Sequence, residues 1–283
     1  MTGPSEGVPP EGYRDTLERF IAPLAARIGG RAQARPPGYV VGLCGAQGSG
    51  KTTAAHALRR LLAEAGLEAV VLSLDDLYLP KEDRERLAVE VHPLLRTRGV
   101  PGTHDALLGL NLIESLATAG ETVTPRFDKA SDDRAPAETW PRVEGPVDVV
   151  IFEGWCVGAR PQPPSALTAP INALERDEDP AGVWRRYAND ALAGAYRPLF
   201  DCIDELVLIA APSFEEVLGW RSDQERALKA ERGPDAGMTD AQLARFVQHY
   251  ERLTRHILAE MPARADVVVR LGGQRQVIGL SGL

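Results

Sequence analysis

Residues 45–52, GAQGSGKT, set glycines, a lysine and a hydroxyl residue at the spacing G-x-x-x-x-G-K-[ST]. Glycines at 45, 48 and 50 let the backbone turn tightly and aim several N–H groups inward, which is how a loop cradles phosphate oxygens. Lys51 is then within reach of the β- and γ-phosphates, and the Thr52 hydroxyl is placed to bind Mg²⁺. The pattern predicts a nucleoside triphosphate site made of Gly45, Gln47, Gly48, Ser49, Gly50, Lys51, Thr52 and Thr53, with ATP and Mg²⁺ as its occupants. Alone, it does not separate kinases from ATPases, GTPases or switches.

The second chemical feature is SLDDLYLP (73–80), an apolar strand ending in Asp75 and Asp76. Charges there are costly unless they meet a cation or a reacting proton. VDVVIFE (147–153) ends the same way, in Glu153. Ligands in open α/β sheets gather at the carboxyl ends of strands, so these acids are expected beside the phosphate loop. A carboxylate there, Asp75 or Glu153, either anchors Mg²⁺ or takes the proton of an attacking hydroxyl. An N-cap or a solvated turn is the competing reading, most open for Asp76.

Positioning these groups requires alternating strands and helices. YVVGLCG (39–45), EAVVLSL (68–74), VDVVIFE (147–153), ELVLIAAP (205–212) and ADVVVRL (265–271) read as five buried strands. Helices are expected over 54–65, 105–119 and 181–200, then as a polar helix through Glu231 and a long amphipathic one capped by Thr239 or Asp240. ETVTPRF (121–127) alternates like a short exposed strand. The expectation is an α/β fold: a doubly wound, five-stranded parallel sheet with helices on both faces. An N-terminal tail and helix (1–37), divided or bent at Pro23, would precede a single domain over 38–283.

Of the 283 residues, 44% are apolar and 25% charged, as in an ordinary globular chain. The net charge of −8 argues against nucleic acid as a partner. No run approaches a membrane span, and three dispersed cysteines fit a reduced, cytoplasmic protein, monomeric or a small homo-oligomer.

SLDDLYLP, RTRGVPGTHD (96–105), PRFDKASDDRAP (125–136) and FEGWCVGARP (152–161), following the complete phosphate loop, resemble the P-loop D-glycerate 3-kinase family. That family includes plant, cyanobacterial, bacterial and fungal kinases, within the group of uridine kinase, phosphoribulokinase and pantothenate kinase. The similarity runs from about residue 38 to near the C-terminus, with two departures: Leu77 replaces the usual aromatic, and Cys156 a bulkier residue. The resemblance implies phosphorylation of D-glycerate to 3-phosphoglycerate, with Asp75 as base and Glu153 beside the metal. It implies that Tyr78 and His104 line the acceptor pocket and Asp105 accepts from a hydroxyl, although T-H-D can equally cap the next helix. Lys129 and Arg134, otherwise solvated charges, become candidates for a substrate carboxylate, with Arg98 a weaker one. It also implies a lid at about 220–238 that places Arg221, or secondarily Arg226, over the transferring phosphoryl group.

Two alternatives follow from the same residues. One is a kinase of another hydroxylated metabolite, nucleoside- or pantothenate-like; a nucleoside would call for an aromatic sandwich. The other is a nucleotide-sensing protein without phosphotransfer, against which the acids at both strand ends speak.

Overall fold

The computed structural model describes residues 16–233 and 237–283. A π-helical turn, Leu17–Ile21, leads into helix α1 (Ala22–Gln33). Pro23 lies in the first turn of that helix, directly after the π-helical turn, where the segment passes from π- to α-helix without a break. Strand β1 (Tyr39–Gly45), helix α2 (Lys51–Glu64), β2 (Ala69–Ser73), α3 (Lys81–Glu90) and α4 (Ala106–Leu116) follow. Short strands β3 (Gly120–Val123), β4 (Phe127–Asp128), β5 (Asp133–Arg134) and β6 (Arg142–Gly145) form two ribbons, β3 with β6 and β4 with β5. Next come β7 (Val149–Gly154), α5 (Ala173–Glu178), α6 (Val183–Ala193), α7 (Tyr196–Asp201) and β8 (Glu205–Ala210). Helices α8 (Phe214–Arg232) and α9 (Asp240–Glu260) precede the last strands, β9 (Val267–Leu271) and β10 (Val277–Ser281).

The main sheet runs β10-β9-β8-β1-β7-β2. All five expected strands are present and parallel to one another. Strands β1, β7 and β8 are buried at every position, as strands covered on both faces must be. The five-strand expectation needs one correction: a sixth strand, β10, pairs antiparallel with β9 at the sheet edge. Its residues are mostly solvent-facing and include Gly279, so no buried run marks it. ETVTPRF is likewise not one strand. Pairing stops at Val123, just before Pro125, which has no N–H for a ladder. The helix expected over 181–200 is two helices separated at Gly194 and Ala195.

Helices α1, α2 and α8 cover one face through Leu24, Ile28, Leu58, Leu62, Phe214 and Trp220. Helices α4, α7 and α9 cover the other through Leu112, Leu116, Leu199, Tyr250 and Ile257. Helix α1 is tied to the sheet: Arg31 donates to the buried Glu205 of β8 at 2.9 Å, and Tyr39 donates to the same oxygen at 2.9 Å. Among the described residues no helix is long and apolar enough to cross a membrane. All three cysteines are free, with Cys44 and Cys156 buried.

One buried histidine carries a pH consequence. His249 on α9 lies edge-on to Trp184 at 5.7 Å, and its Nε2 has no partner. Burial lowers its pKa from 6.5 to about 4, only partly opposed by its bond with the Phe246 carbonyl. The unfolded chain therefore binds this proton more readily, and stability is lost as pH falls from about 6.5 towards 4. Denaturant titrations are expected to show a loss of about 2 kcal/mol from this group between pH 7 and pH 5, removed in His249→Gln. An unchanged pH difference in that variant would refute the assignment.

Candidate active site

Gly45 closes β1, and the next residues fold into a loop that ends at the N-terminus of α2. Gly48 and Gly50 have φ of +78° and +81°, a left-handed backbone that other residues adopt only with strain. A Cβ on Gly48 would also stand 2.8 Å from the Cβ of Trp220. Ser49 is buried and its hydroxyl has no partner; Gln47 is half-buried, and Thr52 and Thr53 are exposed on the first turn of α2. Arg275, in the β9–β10 turn with φ +64°, donates from Nε to the Gly48 carbonyl at 2.8 Å. It also lies over the Trp220 ring at 5.4 Å, while Trp220 Nε1 donates to the Gly273 carbonyl at 2.7 Å. Helix α8, the loop and the C-terminal turn are thereby fastened together. Trp220 and Arg275 are absent from the sequence-level site, because only the tertiary fold brings them to the loop.

Strand β7 lies between β1 and β2, and the register sets Glu153 opposite both Leu43 and Ser73. Glu153 Oε1 accepts from Thr52 Oγ1 at 3.1 Å and from Ser73 Oγ at 2.9 Å. Its Oε2 is buried and unpartnered, a costly state for a carboxylate oxygen. That oxygen, with the Thr52 hydroxyl beside it, suits the hydration shell of Mg²⁺, a hard cation that keeps several waters. Among the described residues no cluster of three His, Cys, Asp or Glu side chains forms, so a cation here would share its ligands with nucleotide phosphates.

A 3₁₀ turn, Leu74–Leu77, follows β2; buried Leu74 and Leu77 anchor it and present Asp75 and Asp76. The two acids part company there. Asp76 accepts from Phe127 N at 3.0 Å and Arg126 at 3.1 Å, pinning the 125–127 segment, and burial raises its pKa despite those donors. Asp75 accepts from Tyr78 OH at 2.9 Å and from Lys129 Nζ at 2.6 Å. Burial works to raise its pKa, but the charges of Lys129 and Lys51 outweigh that, holding it well below the usual carboxylate range.

Tyr78 is buried, bridges to His104 and stacks on its ring at 4.5 Å and 22°. Tyr196 OH accepts from Gly102 N at 3.0 Å and shares a hydrogen bond with His104 Nδ1 at 2.6 Å. His104 Nε2 is buried and, among the described residues, without a partner. Burial lowers His104 to about 3, so the ring is neutral at physiological pH. Asp105 caps α4 by accepting from Leu108 N at 3.0 Å, and its other oxygen accepts from Arg134 at 3.1 Å. Arg134 also donates to the Tyr78 carbonyl at 3.0 Å. Arg98 pairs with Asp132 and lies over Phe127 at 5.3 Å.

Arg221, on α8 beside Trp220, pairs with the buried Glu225. The same glutamate accepts from Met238 N at 3.0 Å, tying the chain after the helix back to it. Arg226 is 76% exposed and pairs with Asp223. The expected lid is thus, up to residue 232, a continuation of α8; residues 234–236 of the glycine-bearing GPDAG segment lie outside the described residues. The loop, Glu153, Asp75, Tyr78, His104 and Lys129 converge at one sheet end, while Arg134 and Asp105 meet each other.

The model of the Phosphoribulokinase / Uridine kinase family matches residues 40–158. The chain is 34% identical to an uncharacterized kinase, mug58, of Schizosaccharomyces pombe, over 77% of this chain and 81% of that protein. It is 32% identical to the chloroplastic D-glycerate 3-kinase of Arabidopsis thaliana over 81% of this chain, spanning about half (51%) of the plant protein's length. A D-glycerate 3-kinase structure from Cryptococcus neoformans var. grubii superposes with a TM-score of 0.75 at 27% identity, covering 94% of this chain and 98% of that one. The chain belongs to the phosphoribulokinase/uridine kinase family of P-loop kinases, and its relatives there include D-glycerate 3-kinase and fungal kinases.

Proposed function

We propose that this kinase transfers the γ-phosphoryl group of ATP to the 3-hydroxyl of D-glycerate, releasing 3-phosphoglycerate and ADP. The observation that carries the reading is the cation beside the base: Lys129 Nζ lies 2.6 Å from Asp75. An acceptor matching that pair has a carboxylate only two carbons from its reacting hydroxyl, as glycerate does. The stacked Tyr78–His104 pair supports the same choice, because two buried rings already packed on each other cannot sandwich a nucleobase. The buried His104 Nε2 can bond a hydroxylated acceptor in either tautomer.

In this reading the Gly48–Gly50 backbone and the start of α2 cradle the phosphates, and Lys51 follows the charge of the transferring group. Thr52 and Glu153 would hold Mg²⁺, with Asp75 contributing; when bound, the ion would supply neutralisation of phosphate charge. Asp75 orients the acceptor hydroxyl and takes its proton as the O–P bond forms, with Tyr78 fixing the carboxylate's orientation. Arg221 leaves Glu225 to meet the charge spread over the transferring group.

Release of ADP should depend on D-glycerate and not on uridine or pantothenate at equal concentration. Turnover with either of those in preference to D-glycerate would overturn the substrate assignment.

A further inference from the structure

Four basic side chains reach the acceptor side of the site, and three are committed to structure. Arg126 is held by Asp76, Arg134 by Asp105 and the Tyr78 carbonyl, and Arg98 by Asp132. Lys129 differs: its partner is the proposed base itself.

The loop that carries Lys129 is fixed at both ends. Asp128 closes the turn by accepting from Ala130 N at 3.0 Å and from Ser131 Oγ at 2.7 Å. Asp132 is gripped by Arg98 and by the buried Arg84, which also donates to the Asp132 carbonyl at 2.5 Å. The Lys129 side chain is nevertheless 61% exposed, so it can rotate without moving the loop. Asp75 has donors on both oxygens, Tyr78 on Oδ1 and Lys129 on Oδ2. Each oxygen keeps a second lone pair, but the ammonium at 2.6 Å neutralises the charge on Oδ2 and makes that oxygen a poorer acceptor for a hydroxyl proton.

We infer that Lys129 is a specificity-determining latch: it occupies Asp75 until an anionic acceptor group draws it away, so that recognition of the acceptor's charge frees the oxygen that takes the hydroxyl proton. The exchange is one ion pair for another. No bond breaks, and the lysine keeps its proton throughout. Neutral polyols that fit the pocket leave Oδ2 occupied, and water entering an empty site meets the same obstruction. Discrimination against them then appears in kcat as well as KM. The inference rests on the proposed glycerate reading for its acceptor and extends it to the control of the base.

The test compares wild type, Lys129→Met and Lys129→Arg for ATP hydrolysis without acceptor, and for turnover with D-glycerate and with glycerol. Losing a charge-assisted contact should raise acceptor-free hydrolysis by about tenfold in Lys129→Met and raise KM for D-glycerate by at least about tenfold. The kcat ratio between D-glycerate and glycerol should shrink by a similar factor, and Lys129→Arg should restore most of it. Unchanged hydrolysis and an unchanged kcat ratio in Lys129→Met would overturn the latch, even if KM rose. Absence of wild-type D-glycerate turnover would instead fail the substrate reading, while the hydrolysis comparison still decides the latch. Side-chain exposure predicts that Lys129→Met keeps the wild-type melting temperature, which separates these effects from misfolding.

Discussion

Replacement of Asp75 by Asn is expected to lower kcat by about 10²–10⁴-fold while nucleotide affinity holds. Asparagine keeps the size of the side chain and an oxygen for the Tyr78 hydroxyl, but it cannot accept a proton or pair with Lys129. The phosphate loop itself is untouched, because Asp75 sits beyond β2, with β7 intervening between that strand and β1. Steady-state turnover, paired with calorimetric titration of ATP, separates the two properties. Near-wild-type turnover in Asp75→Asn would remove the base from the mechanism. A parallel fall in ATP affinity would instead assign Asp75 chiefly to metal and nucleotide binding.

The second large effect is expected at Arg221. Its helix is locked to the phosphate loop by Trp220, whose backbone and ring meet Gly48 and Arg275. The guanidinium stands ready beside that junction, 22% exposed and paired with Glu225. Removing a donor aimed at developing phosphoryl charge should reduce kcat by about 10²–10³-fold, with KM for ATP changing far less. Arg226→Ala is the matched comparison, since that side chain is exposed and, among the described residues, pairs with exposed Asp223. Pre-steady-state measurement of the transfer step in both variants decides the matter. Equal losses, or a larger loss in Arg226→Ala, would place the charge-stabilising arginine elsewhere.

Features dictated by local chemistry were legible in the sequence. Phosphate binding demands glycines at fixed spacing, so Gly48 and Gly50 announced their left-handed backbone before any fold was known. Strands buried on both faces are continuously apolar, which made β1, β7 and β8 readable, whereas the exposed edge strand β10 carries no such mark. Tyr196 lay unmarked within the helix expected over 181–200, although its hydroxyl meets His104 Nδ1 at 2.6 Å. The T-H-D motif left two readings open. Asp105 caps α4, and the buried His104 Nε2 has no partner among the described residues. Lys129 and Arg134 looked equivalent in one polar loop. Their partners depend on how two two-residue strands fold that loop back, a long-range result that spacing does not encode.

The most direct measurement follows the phosphoryl group itself. Incubation of the protein with γ-³²P-labelled ATP, Mg²⁺ and D-glycerate should move the label into a phosphomonoester at carbon 3, in step with ADP. Label released only as inorganic phosphate, or transfer indifferent to D-glycerate, would contradict the account.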